Sequence, residues 1–259
     1  MTKALTLFLL LFALPLQANP YADKAQSRIL AGWLQPDGTR MAALEITLAP
    51  GWHTYWRAPG DAGIPPSFDW QGSRNLAAVA PAWPRPEVYR QNGMRSIVYT
   101  ERLVLPLALT PQTAGQPIAL KGRVEIGVCK DICVPLHLML EETLPPETTA
   151  AREAIVAALA TVPRQTAQDV RCDTRIGRRG LLLTLTARLP GLGAPEDAAI
   201  ETGDPLVWAT DPELRRTGQT LTLTTELIHT LSGAFALNRS ALRVTLIGAN
   251  TAVDIQGCD

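Results

Sequence analysis

Cys129 and Cys133, in the run Gly127-Val128-Cys129-Lys130-Asp131-Ile132-Cys133-Val134-Pro135, are the side chains in this 259-residue sequence whose type and spacing could do chemistry. Thiols this close form either a disulfide that opens and closes or a clip for a soft metal. As a mere staple the pair would contribute little, because closing about five residues restrains the unfolded chain by only about 2 kcal/mol. The other two cysteines, Cys172 and Cys258, would close about 87 residues and contribute about 4.6 kcal/mol on the same relation. The near pair is therefore expected to be the functional one and Cys172 with Cys258 a structural disulfide.

A fully extended Cys-x-x-x-Cys segment would hold the two Cα atoms about 13 Å apart, whereas a disulfide needs them within about 7 Å. The chain must bend there. Neighbouring antiparallel strands over Ile118 to Val128 and Leu136 to Thr143 would supply the bend, with the cysteines at the mouth of the turn and Pro135 fixing the exit. A bridge at an exposed sheet end is open to exchange. Lys130 favours a thiolate and Asp131 opposes it, so local charge does not single out the attacking sulfur.

The elements around this turn read as β structure in an exported chain. Met1 to Ala18 has the form of a secretory signal: Lys3, the apolar run Leu5 to Leu14, then a small-residue cleavage site at Leu16-Gln17-Ala18. The run is too short for a span of about 20 residues, so a processed, periplasmic chain without stable membrane insertion is expected. Removing the signal leaves 23 basic against 24 acidic residues, a balance that calls for no nucleic acid or anionic surface. With 21 prolines and 19 glycines, long helices are disfavoured.

Short alternating segments at Arg28 to Leu34, Met41 to Leu48, Trp52 to Arg57 and Leu103 to Leu109, together with the cysteine hairpin, point to a β-sandwich over residues 19–146. A long irregular insertion, rich in proline and aromatics, is expected between Ala58 and Ser96, as a lid, a partner surface or a loop packed by its own tryptophans. Glu147 to Ala160 reads as a connecting helix within residues 147–163, stopped by Pro163. Segments at Asp169 to Ile176, Leu181 to Leu189, Leu206 to Thr210, Thr220 to Glu226, Ala241 to Gly248 and Thr251 to Gln256 suggest a second, smaller sandwich over residues 164–259. The fold class expected is thus all-β.

A thioredoxin-type centre would be Cys-x-x-Cys at a helix start in a βαβ unit, and this sequence has neither. It resembles instead the periplasmic N-terminal (alpha) domain family of the DsbD and ScsB thiol:disulfide interchange proteins, and is nearest the ScsB-like branch. The resemblance lies in Gly51-Trp52-His53-Thr54-Tyr55-Trp56-Arg57-Ala58-Pro59-Gly60-Asp61-Ala62-Gly63-Ile64-Pro65-Pro66, in Tyr99-Thr100-Glu101-Arg102-Leu103-Val104-Leu105-Pro106, and in the cysteine run ending at Val134-Pro135. It implies an immunoglobulin-like first domain and a Cys129/Cys133 redox pair. It also implies passage of electrons from a membrane-embedded thiol reductase, through a thioredoxin-like donor, to periplasmic client proteins, cytochrome c maturation among their processes. That family covers its cysteines with an aromatic cap, for which Tyr89 in Pro86-Glu87-Val88-Tyr89-Arg90-Gln91-Asn92-Gly93 is the candidate. The best-known members have a wider cysteine spacing and a different cap sequence. With no membrane module or thioredoxin-like segment here, the donor is expected to be a separate protein.

Two other readings compete. Soft thiolates select Cu(I), and Cys-x-x-x-Cys followed by proline also resembles the motif of Sco-type copper assembly factors, with His137, Met139 and Met94 available to complete a site. Zinc is disfavoured because a structural site wants four ligands. A non-catalytic interaction module would keep both bridges closed and use the tryptophan-rich insertion and the second sandwich as surfaces. His53 reads as a packed strand residue, His229 as a loop residue without a partner, and Arg178-Arg179-Gly180 as a solvated turn. Trp52, Trp56, Trp70 and Trp83 read as core more than as a binding face. No Gly-x-Ser-x-Gly, phosphate-cradling loop or paired carboxylates are present, so hydrolase and kinase chemistry lack support and no organic cofactor is expected.

Overall fold

The computed structural model describes residues 20–258 apart from 62, 92, 146–150, 166–168 and 232; the export segment Met1 to Ala18 falls outside these residues. Among the described residues ten strands build the first half: β1 (Ala25–Leu34), β2 (Arg40–Leu48), β3 (His53–Gly60), β4 (Ser67–Asp69), β5 (Ala78–Pro81), β6 (Glu87–Gln91), β7 (Met94–Thr100), β8 (Arg102–Thr110), β9 (Ile118–Cys129) and β10 (Cys133–Leu144). They form two facing sheets, one ordered β1-β2-β8-β5 and the other β10-β9-β3-β7-β6, with β4 also paired to β9. This is an immunoglobulin-like sandwich.

Its core follows from the alternation of each strand. Leu103, Leu105, Leu107 and Leu109 of β8 face Val124, Ile126 and Val128 of β9 and Leu136, Leu138 and Leu140 of β10, all in one buried cluster. Trp56 lies fully buried in the same cluster. Phe68 stacks on Trp70 at 6.0 Å and meets Trp83 at 6.1 Å, and all three pack on the core from the side.

The stretch from Ala58 to Ser96 is not the irregular insertion expected. It completes β3 and supplies β4, β5 and β6, adding edge strands to both sheets. Its strands are three to five residues long and proline-interrupted, so their period is too short to read from the sequence.

One α-helix among the described residues, α1 (Arg152–Ala160), follows. Its described span starts after Ala151, which holds a left-handed conformation, and positions 147–150 of the helix expected over Glu147 to Ala160 lie outside the described residues. Ile155 is fully buried against Leu30, Met41 and Ala43, on the outer face of the β1-β2 ribbon. The helix thereby covers a second face of β2, which explains why seven successive residues of that strand, Arg40 to Ile46, are buried with Thr47 alone in the strand exposed.

The second half holds β11 (Arg164–Gln165), β12 (Arg171–Ile176), β13 (Leu181–Arg188), β14 (Asp197–Glu201), β15 (Val207–Ala209), β16 (Glu213–Thr217), β17 (Thr220–His229), β18 (Arg243–Ile247) and β19 (Ala252–Gln256). One sheet runs β11-β19-β18-β14, the other β12-β13-β17-β15 with β16 on β17. The alternating Leu183, Leu185, Ala187 and Leu221, Leu223, Leu227 fill the space between them. Strands β11, β14 and β16 were not foreseen, and His229 ends β17 opposite Val207 instead of lying free in a loop. Its ring packs on Phe235 at 6.1 Å and its Nδ1 accepts the Leu231 amide.

The halves share apolar and polar contacts. Ala199 and Ile247 of the second half join the core of the first. Around them four arginines of the first half reach acceptors of the second: Arg57 to Glu201 and Thr245, Arg85 to the Gly248 carbonyl, Arg90 to Asp197 and Asp211, and Arg95 to Asp197 and the Ala198 carbonyl.

Candidate redox site

β9 and β10 form a hairpin whose first paired position is Cys129 opposite Cys133. The sulfurs are bonded, with the Cα atoms 4.2 Å apart. Lys130, Asp131 and Ile132 make the turn, closed by the Lys130 amide donating to the Ile132 carbonyl at 3.1 Å. Pro135 does not end the hairpin; it sits inside β10 opposite Gly127. Proline is tolerated there because β10 is the outermost strand of its sheet.

Alternation sends Val124, Ile126 and Val128 into the core, so Cys129 points to the other face of the sheet. That face carries a separate small cluster: Tyr55, Val98 and Cys129, with Ile64 packed on it. The segment after β3 folds back over the sheet and brings Ile64 onto the ring of Tyr55. As a result His53, Thr54, Tyr55 and Trp56 are all buried, where a strand with one wet face would alternate.

The bridge is unevenly covered. Cys129 is 1% exposed, while Cys133 is exposed to solvent. Tyr55 spans the two sulfurs: its hydroxyl donates to Cys129 Sγ at 2.7 Å and lies 3.3 Å from Cys133 Sγ. Burial pushes the Tyr55 hydroxyl above its ordinary value near 10, so it holds its proton at neutral pH and is available as a donor. The ring fits because Gly127 lies beneath it, where a Cβ would come to 2.7 Å from Ile64 and 3.1 Å from the ring.

His53 lies opposite Cys129 on β3 and packs edge-on to Tyr55, at 5.5 Å between ring centroids. Burial holds its imidazole below the usual histidine value, which favours the neutral form. Tyr89, on the edge strand β6, lays its ring 5.3 Å from that of His53 and remains 41% exposed. Three rings thus run from solvent to the sulfurs in the order Tyr89, His53, Tyr55. The sequence singled out the first two but not Tyr55. The available signal was its two-residue offset from His53, which puts both on one face of β3.

The residues considered for Cu(I) are not gathered together. His137 and Met139 share the outward face of β10 with Cys133, and at about 3.3 Å per residue they stand about 13 and 20 Å farther along the strand. His137 lies within 3.2 Å of Glu125 and within hydrogen-bonding distance of Arg123, and Met139 is bare. Met94 lies on the far side of the sheet, at the start of β7. Among the described residues no group of three or more His, Cys, Asp or Glu side chains is placed to hold a metal ion.

Cys172 and Cys258 are bonded across 86 positions, joining β12 in one sheet of the second sandwich to the segment after β19 in the other. Cys172 is buried in the core between those sheets. No helix among the described residues is long and apolar enough to cross a membrane.

Residues 23–145 match the family model described as thiol:disulfide interchange protein DsbD, N-terminal. Among solved structures the chain is similar to the N-terminal periplasmic domain of ScsB from Proteus mirabilis, with a TM-score of 0.71 and 22% sequence identity over 92% of this chain and 94% of that one. A match to the DsbD N-terminal domain of Neisseria meningitidis in the reduced form has a TM-score of 0.31 and 14% identity over 50% of this chain and 95% of that one, too distant to carry an argument. The ScsB match extends the shared fold through both sandwiches. None of the curated proteins matches the chain.

Proposed function

We propose a function on the premise that the first sandwich of this chain belongs to the DsbD N-terminal domain family of thiol:disulfide interchange proteins: the Cys129–Cys133 bridge relays electron pairs between a reductase and client proteins in the periplasm. The proposal includes a division into signal peptide 1–18, redox domain 19–146, connecting helix 147–163 and second domain 164–259. One observation supports the reading above the others. The bridge joins an exposed residue, Cys133, to a buried one, Cys129, whose sulfur lies under a hydroxyl donor.

Charging the relay begins when a donor thiolate attacks the Sγ of Cys133, the exposed residue of the pair, in line with the existing bond. A donor–Cys133 disulfide forms, the Cys129–Cys133 bond breaks, and Cys129 departs as a thiolate that takes a proton from solvent or keeps the Tyr55 hydrogen bond. A second donor thiolate then attacks the donor's own sulfur in the mixed disulfide and releases Cys133. The donor dithiol is oxidised to a disulfide and the pair is left reduced. Delivery runs the same steps backwards: the Cys133 thiolate attacks a client disulfide, and Cys129 resolves the mixed species and restores the bridge. No cofactor enters any step. The donor in this proposal is a separate membrane-embedded thiol reductase acting through a thioredoxin-like domain. Tyr89 acts as the cap that shields the sulfurs between encounters.

Brief alkylation and mass spectrometry after equilibration at graded redox potentials test the relay. The expected result is opening of Cys129–Cys133 in the range of periplasmic exchange proteins while Cys172–Cys258 stays closed. A Cys129→Ser variant should then trap mixed disulfides through Cys133 in periplasm, and a Cys133→Ser variant should not. A near bridge that stays closed throughout the range would leave the chain an interaction module.

A further inference from the structure

We infer that Arg90 is a positioning residue through which the second sandwich clamps the cap over the disulfide. The inference rests on Tyr89 being the cap, as proposed above. Tyr89 sits on β6, a five-residue strand at the edge of its sheet, paired among the described residues with β7 alone. An edge strand this short is the part of a sheet that peels most readily. Contact with His53 leaves two fifths of Tyr89 exposed, so ring packing by itself gives it a shallow seat.

The neighbouring residue supplies the hold. Arg90 Nη2 lies 2.6 Å from Asp197 Oδ2 and its Nη1 2.7 Å from Asp211 Oδ2. Directly across the hairpin register stands Arg95, which meets the same two carboxylates, with Nη1 3.3 Å from Asp197 Oδ1 and Nε 2.7 Å from Asp211 Oδ1, and also donates to the Ala198 carbonyl at 3.0 Å. Two arginines of one hairpin and two aspartates of the second sandwich thus close a four-cornered, charge-balanced ring.

Its corners differ in depth. The Arg95 side chain is 5% exposed and that of Asp197 12%, whereas those of Arg90 and Asp211 are 52% and 48% exposed. The inner pair fixes β7 to the second half. The outer pair ties down β6, and only β6 carries Tyr89. Exposed ion pairs are individually weak and screened by salt, which suits a tie that a partner must loosen to reach Cys133.

The full-length protein, reduced and treated with iodoacetamide, gives the test. Arg90→Ala should raise the alkylation rate of the Cys129/Cys133 thiols by about two- to fivefold, the scale set by one or two partly exposed ion pairs. Arg90→Lys should fall between it and the unmodified protein, and high salt should accelerate the unmodified protein but not Arg90→Ala. Asp211→Asn, which cuts the tie from the other sandwich, should reproduce the effect if Arg90→Ala proves poorly folded. In a Tyr89→Ala background Arg90→Ala should add nothing, an interaction that a general loosening of the fold would not show. Arg90→Ala and Asp211→Asn at the unmodified rate, or effects that multiply with Tyr89→Ala, overturn the clamp. If Tyr89→Ala itself leaves the rate unchanged, the cap assignment falls instead, and the clamp loses its purpose with it.

Discussion

Tyr55 is the side chain on which the chemistry of the bridge turns most directly, since its hydroxyl is placed against both sulfurs. A hydrogen bond to a charged sulfur favours the thiolate and so eases its departure. Tyr55→Phe should raise the Cys129 thiol pKa of the reduced protein by about one unit, the worth of one hydrogen bond to a charged group. Thiolate absorbance followed against pH measures it, and an unmoved pKa would take Tyr55 out of the exchange step. The Cys129–Cys133 bond was legible from spacing, because a single bend brings the two thiols within reach. Tyr55 was not, because nothing local distinguishes it from Trp52 or Trp56; its partners stand 74 and 78 positions away.

The β9–β10 hairpin was legible as an element because the alternating runs Ile118 to Val128 and Leu136 to Thr143 flank the cysteines and pair naturally across a short turn; each extends to twelve residues in the structure. What the pattern concealed is that β9 is buried on both faces at its cysteine end, while Cys133 at the start of β10 stays exposed. Gly127 sits where that second layer demands room. Gly127→Ala should keep the sandwich but push Ile64 and the Tyr55 ring away from the sulfurs, costing about 1–3 kcal/mol of stability through overpacking. The Cys129 pKa should rise with it, as in Tyr55→Phe. Denaturant melts and the same pH titration check both effects; a stable variant with an unshifted thiol would mean that the glycine is incidental. The small strands between Ala58 and Ser96 were hidden for the opposite reason, too short for a period to show and punctuated by proline.

Across the whole molecule, two sandwiches and one helix were readable from strand spacing and turn residues, but the seam between the halves was not. Its ion pairs join residues more than a hundred positions apart, and sequence neutrality gives no hint that arginines lie on one side and carboxylates on the other. The Cys172–Cys258 bridge staples the two sheets of the second sandwich. A Cys172→Ser/Cys258→Ser double variant should lose up to about 4.6 kcal/mol of stability in that sandwich, on the loop-closure relation. Calorimetry would resolve the loss. Alkylation at Cys129 and Cys133 should be unaffected wherever the protein remains folded, and a changed rate there would show that the staple tunes the relay from afar.

Cys129 is held by strands on both sides, opposite Cys133 on β10 and opposite His53 on β3, so its backbone is pinned whether or not the sulfurs are joined. Cleaving the bond frees no loop and unzips no ladder. Under the proposed relay, the backbone around the pair therefore carries no conformational flag to announce that it is loaded. Whatever distinguishes its full from its empty form must taste the sulfur atoms and the rings around them at close range.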